Sequence, residues 1–126
     1  MIVKRRTAVW VVDDTEPVRK SLAALLETAD MTVRDFSSAK SFLDNFEPGA
    51  ADFLIVDHHM PDMTGLELLQ HLGAREELPL AILITAHGDE VLRKQALEAG
   101  AITMLDKPVD GDEIIDLIRT SLPDAG

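Results

Sequence analysis

Four short apolar runs in this sequence each end on residues that can do chemistry. Ala8 to Val12 runs into Asp13 and Asp14, Phe53 to Val56 into Asp57, Leu80 to Ile84 into Thr85, and Ile102 to Leu105 into Asp106 and Lys107. If they meet, three carboxylates, a hydroxyl and an ammonium suit the binding of a divalent cation and a phosphoryl group. Carboxylates brought close repel one another, which raises at least one pKa unless a cation removes the conflict. Oxygen donors, with no cysteine and no evident imidazole cluster, favour Mg2+ or Mn2+ over zinc. A carboxylate beside such a cation can act as nucleophile in phosphoryl transfer and form an acyl phosphate. Asp57 takes that part because it stands alone, with the acid pair to one side and Thr85 and Lys107 to the other. Lys107 would then pair with one phosphoryl oxygen, and the Thr85 hydroxyl and the backbone N–H of Ala86 would donate to another.

These residues meet only if the runs are neighbouring parallel strands. The first run is apolar at every position, as a central strand covered on both faces must be. Thr15 is placed to cap a helix that Pro17 starts well, and Val18, Leu22, Leu25, Leu26 and Ala29 form its apolar stripe. Met31 to Phe36 carries Thr32, Arg34 and Asp35 and reads as an edge strand. Ser37 or Ser38 caps the next helix, with Ala39, Phe42, Leu43 and Phe46 on one face, and Pro48 and Gly49 break it. Pro61 stops the third strand, and a loop through Gly65 leads to a helix carrying Leu66, Leu69 and Leu72. After the fourth strand, Gly88 and Asp89 open a helix with Leu92, Ala96 and Ala99 inward, closed by Gly100 as a left-handed cap. Asp110 or Asp112 opens the last helix, whose stripe is Ile114, Ile115, Ile118 and Leu122 before Pro123.

Five strands alternating with five helices imply an α/β fold, a doubly wound parallel sheet with right-handed crossovers. The polar second strand belongs at an edge, so the order is 2-1-3-4-5, the flavodoxin-like (βα)5 arrangement, in which ligands bind at the carboxyl ends of the strands. That rim collects Asp13, Asp14, Asp57, Thr85 and Lys107.

The 126 residues fit one domain, and 12 basic against 23 acidic residues give a net charge of −11. Such a balance argues against direct binding of nucleic acid by this domain. The basic cluster Lys4, Arg5 and Arg6 reads as a solvated terminus. The short run behind it meets two aspartates and makes no signal peptide, and no stretch reaches membrane-spanning length. Without cysteine, a reducing, cytoplasmic setting is expected.

Taken together, Val-Val-Asp13-Asp14, Ile-Val-Asp57-His-His-Met-Pro, Ile-Thr85-Ala86-His87 and Asp106-Lys107-Pro108 resemble the response-regulator receiver domain of two-component signalling. The resemblance covers about residues 7–122. It implies that Asp57 is the phospho-acceptor, that Asp14 binds Mg2+ directly and Asp13 mainly through water, and that the backbone carbonyl of His59 is the third protein ligand. It implies that Thr85 is the switch hydroxyl, that Lys107 binds the phosphoryl group and that the Lys107-Pro108 bond is cis. It also implies a sensor histidine kinase or phosphotransfer protein as donor, and a change in the face of helix four, strand five and helix five that controls an output domain, a partner or a homodimer. The family often has Tyr or Phe in the middle of strand five; Met104 stands there, which opens a route for the signal through the loop from Thr85 to Asp89.

The imidazoles of His58 and His59 are expected to face solvent in the main rather than bind metal, and His71 to be solvated. His59 and His87 flank the path of a water attacking the phosphoryl group. A rival reading is a phosphatase-type hydrolase using aspartate and magnesium. Such enzymes place nucleophile and acid as Asp-x-Asp on one strand end, whereas the acids here are adjacent and the nucleophile is on another strand. A binding module of the same fold that is never phosphorylated is the third reading. A sequence read as far as Gly126 suits either a stand-alone receiver or one joined to an output domain.

Overall fold

A computed structural model describes residues 5–122; Lys4, Pro123 and Gly126 lie outside them. The elements alternate: β1 (Ala8–Val12), α1 (Glu16–Thr28), β2 (Thr32–Phe36), α2 (Ala39–Asn45), β3 (Phe53–Asp57), α3 (Gly65–Ala74), β4 (Leu80–Thr85), α4 (Glu90–Glu98), β5 (Thr103–Asp106) and α5 (Gly111–Ser121). The strands form one parallel sheet in the order β2-β1-β3-β4-β5, as the sequence predicts.

The two-residue period of the strands divides the core into two layers. Trp10, Val12, Leu54, Val56, Ala81, Leu83 and Met104 pack on one face with side chains from α2, α3 and α4. Val9, Val11, Phe53, Ile55, Ile82 and Ile84 pack on the other with side chains from α1 and α5. Both faces of the central strands are therefore dry, and their polar ends are driven to the rim. Among the described residues, no helix is long and apolar enough to cross a membrane.

Most of the local signals hold. Thr15 occupies the cap position of α1, but its hydroxyl makes no capping bond; Asp13 Oδ1 accepts from Thr15 N–H at 2.9 Å instead. In α3 the buried positions are Leu68, Leu69 and Leu72, whereas Leu66 is only half-buried. Thr64 and Glu67 fix the phase of that helix, because they close a reciprocal capping box at its first turn. In α4, Leu92 and Ala99 are half-buried and Ala96 alone is buried. Strands β2 and β5 each begin one residue later than the sequence suggests, at Thr32 and Thr103, although Ile102 N–H already donates to Ala81 C=O of β4 at 2.8 Å. Ser38 caps α2, Asp89 caps α4 and Asp110 caps α5, each through its side chain. Gly100, at φ +105°, provides the expected left-handed turn.

Candidate functional site

Register brings the acids together. Val12 pairs with Val56, so Asp13 and Asp57 leave neighbouring strands at the same height. Carboxylate oxygens of Asp13, Asp14 and Asp57 all lie within 4.8 Å of one another. Asp13 and Asp57 are buried, and Asp14 is exposed at the mouth. Lys107 reaches in from the end of β5, with Nζ 3.1 Å from Asp13 Oδ2 and 3.4 Å from Asp57 Oδ1. It is held there by Lys107 N–H donating to Thr85 C=O at 2.8 Å, just before a cis Lys107-Pro108 bond.

The electrostatics of this cluster are unbalanced. One ammonium serves two buried carboxylates, and it lies off their hydrogen-bond directions, so Asp13 Oδ2 and Asp57 Oδ1 have no hydrogen bond. Burial pushes the Asp57 carboxyl up to about 6, and the charge of Asp13 adds to the rise against the opposing pull of Lys107 and the backbone N–H of His59. Lys107 responds in the complementary sense. Burial alone would lower its pKa, but Asp13 and then Asp57 outweigh burial and the pKa is raised. Both partners of the Lys107–Asp57 pair thus shift upward, as expected where two acids share one cation. Two orphaned, buried oxygens beside an exposed third carboxylate are what a hard divalent cation fits, and the all-oxygen set suits Mg2+.

Thr85 ends β4 and is fully buried, yet its hydroxyl is turned to other partners than the acids. It accepts from His87 N–H at 3.2 Å and lies 3.1 Å from Nε2 of the exposed His59. His59 is exposed, as expected, and its ring is in addition tied to Thr85. His58 departs from the expectation. It is half-buried, its Nδ1 accepts from Leu66 N–H at 3.4 Å, and burial followed by the neighbouring His59 lowers its pKa. His71 is exposed, as expected. Met104 is buried, its ε-methyl lying against the space that a Cβ at Gly88 would fill.

Two contributors escape a reading of the sequence. Arg19, in the first turn of the amphipathic α1, is buried and donates from Nη1 to Asp13 C=O at 2.8 Å. Gly65 is required by a close approach: a Cβ there would stand 2.5 Å from Asp57 C=O and 2.7 Å from Leu83 Cδ1. Neither has a signal in periodicity, since both depend on where β1 and β3 end in space.

A five-stranded sheet of this order with three acids and a lysine at its rim defines the class of the protein. The sequence matches the response regulator receiver domain over residues 9–119, and the chain belongs to that family. It is a phospho-accepting receiver domain, a switch rather than a conventional enzyme. It is 42% identical over 114 residues to the transcriptional regulatory protein FixJ of Azorhizobium caulinodans, covering 90% of this chain and 54% of that protein. It is 35% identical over 121 residues to the response regulator protein TodT of Pseudomonas putida, covering 94% and 52%. The crystal structure of FixJ-N superposes with a TM-score of 0.81 at 40% identity, covering 92% of this chain and 93% of that one. The chain spans about half the length of the curated relatives it matches.

Proposed function

We propose that Asp57 accepts a phosphoryl group from a phosphohistidine of a sensor histidine kinase or phosphotransfer protein, with Mg2+ held by Asp13, Asp14, Asp57 and the backbone carbonyl of His59. The observation that carries this reading is the pair of orphaned oxygens, Asp13 Oδ2 and Asp57 Oδ1, facing one ammonium. When bound, Mg2+ would neutralise charge on the carboxylates and on the incoming phosphoryl oxygens. An Asp57 oxygen attacks phosphorus, the P–N bond of the donor breaks, and the imidazole leaves with the bonding electron pair. Lys107, already within 3.4 Å of Asp57, pairs with a phosphoryl oxygen. Thr85 gives up its present partners and donates its hydroxyl to another, with the N–H of Ala86 beside it. That movement shifts a pre-existing equilibrium toward the active form of the α4-β5-α5 face, which docks an output domain, a partner or a second copy.

The test is Asp57→Asn, incubated with Mg2+ and a small acyl phosphate donor. The variant folds and incorporates no acid-labile phosphate; labelling at the wild-type stoichiometry would move the acceptor elsewhere.

A further inference from the structure

One buried charge stands outside the phosphoryl chemistry. Arg19 is 8% exposed, and its Nε has no hydrogen bond. Its nearest acid, Asp35 of β2, stands 3.7 Å from Nε and is shared with Lys20, whose Nζ is 3.1 Å from both Asp35 oxygens. A buried guanidinium with an indirect counterion is costly, so its one good bond should identify what it does. That bond is Nη1 to the carbonyl of Asp13, the peptide that joins the two metal-facing acids.

The surrounding bonds make this peptide the controlling one. Asp13 N–H donates to Phe36 C=O at 3.0 Å, and Asp13 Oδ1 accepts from Thr15 N–H at 2.9 Å. With Arg19 on its carbonyl, every polar group of Asp13 is hydrogen-bonded to the protein except Oδ2, the atom presented to the pocket, which has only the ion pair with Lys107. Arg19 N–H also donates to Thr15 C=O at 2.9 Å, so the residue grips the β1–α1 loop by both backbone and side chain. Asp14 has little else to orient it: its carboxylate has one distant contact, the Thr15 hydroxyl at 3.5 Å. The plane of the Asp13–Asp14 peptide therefore sets where Asp14 points.

We infer that Arg19 is a positioning residue for the cation site, fixing the Asp13–Asp14 peptide so that both acids face Asp57, with Asp35 holding the guanidinium in place. This rests on the proposed Mg2+ site. Outer partners of metal-binding groups typically contribute 10–100-fold in affinity, and Arg19→Met, which keeps the bulk and removes the donor, is expected to weaken Mg2+ binding about tenfold by isothermal titration. Asp35→Asn weakens it a few-fold, and Arg19→Lys restores part of the loss. Asp14→Asn separates the two ideas. If Asp14→Asn binds Mg2+ as well as the wild type, the metal site itself is wrong. If Asp14→Asn loses Mg2+ while Arg19→Met lowers only the thermal midpoint and keeps the wild-type affinity, Arg19 is merely structural and the inference fails. Should Arg19→Met not fold, Arg19→Lys and Asp35→Asn decide: wild-type Mg2+ affinity in both overturns it.

Discussion

The rim at β1 and β3 and the helix α4 are built on opposite principles. At the rim, β3 is buried at all five positions and the polar groups of Asp13 are pinned one by one. Along α4 only Ala96 is buried in nine residues, while Val91 and Leu97 are 67% and 48% exposed. The rim therefore holds its charges rigidly in an unfavourable arrangement, and α4 is held by little. A perturbation applied at the first is cheapest to accommodate at the second, and the segment from Thr85 to Asp89 joins them.

The largest break of this comparison comes from removing the rim's only ammonium. Lys107→Ala leaves Asp13 and Asp57 facing each other with no cation of the chain between them. The rate of phosphorylation by acetyl phosphate in saturating Mg2+ should fall by about 100-fold or more, the usual scale for losing a preorganised charge partner of the transferring group. A loss of less than threefold would mean that the lysine serves only the resting state.

Two glycines sharpen the contrast between rigid and yielding ends. An alanine methyl at Gly65 meets the backbone carbonyl of Asp57 at 2.5 Å, which cannot step aside without moving β3. At Gly88 the corresponding methyl meets Asp106 Oδ1 at 2.5 Å and Met104 Cε at 2.6 Å, both ends of flexible side chains. Gly65→Ala should cost about 2–3 kcal/mol in urea denaturation and Gly88→Ala less than about 1 kcal/mol. Equal costs would show the β4–α4 loop to be as stiff as the rim.

Acidity reads the burial of Asp57 and its repulsion by Asp13 together. Burial and then the charge of Asp13 push the Asp57 carboxyl up from an ordinary 3.8 to about 6, so between those values the folded form holds a proton that the unfolded form has released. Without Mg2+, stability therefore falls as pH rises from about 4 to about 6 and stays lower above that, by about 1–2 kcal/mol after allowing for solvent screening. The measurement is the difference in urea midpoint between wild type and Asp57→Asn at pH 4.5 and 7. A difference that does not change with pH would mean that the Asp57 carboxyl is not raised above its ordinary value in the folded chain.

Much of this architecture is legible along the chain, and the reasons are local. Apolar runs ending in Asp13, Asp57, Thr85 and Lys107 carry a parallel sheet and its rim at once, because strands buried on both faces have nowhere else to put polar residues. What escapes depends on contacts across the fold. Leu68 replaces Leu66 in the core because the Thr64–Glu67 box sets the helix phase. His58 turns inward because α3 starts beside it, and Arg19 is drawn down by a carbonyl from another element. A Met at position 104 says that no ring is present, but only the packing shows its methyl lodged beside Gly88.

The smallest effect tests the joint between the two ends. The Thr85 hydroxyl has two partners, the His59 imidazole and the His87 N–H, and the proposed switch requires it to leave them. The imidazole bond is the weaker tie because His59 is exposed and water can replace it, so its loss is worth about 1 kcal/mol at most. His59→Ala removes that tie and keeps the backbone donor of His87. The resting arrangement loses a contact that the phosphorylated one does not use, so the acetyl phosphate concentration for half-maximal phosphorylation should fall by up to about fivefold, the equivalent of that free energy. If that concentration does not move, His59 does not restrain Thr85, and the contrast between a fixed rim and a loose helix must be joined through the backbone of residues 85–89 alone.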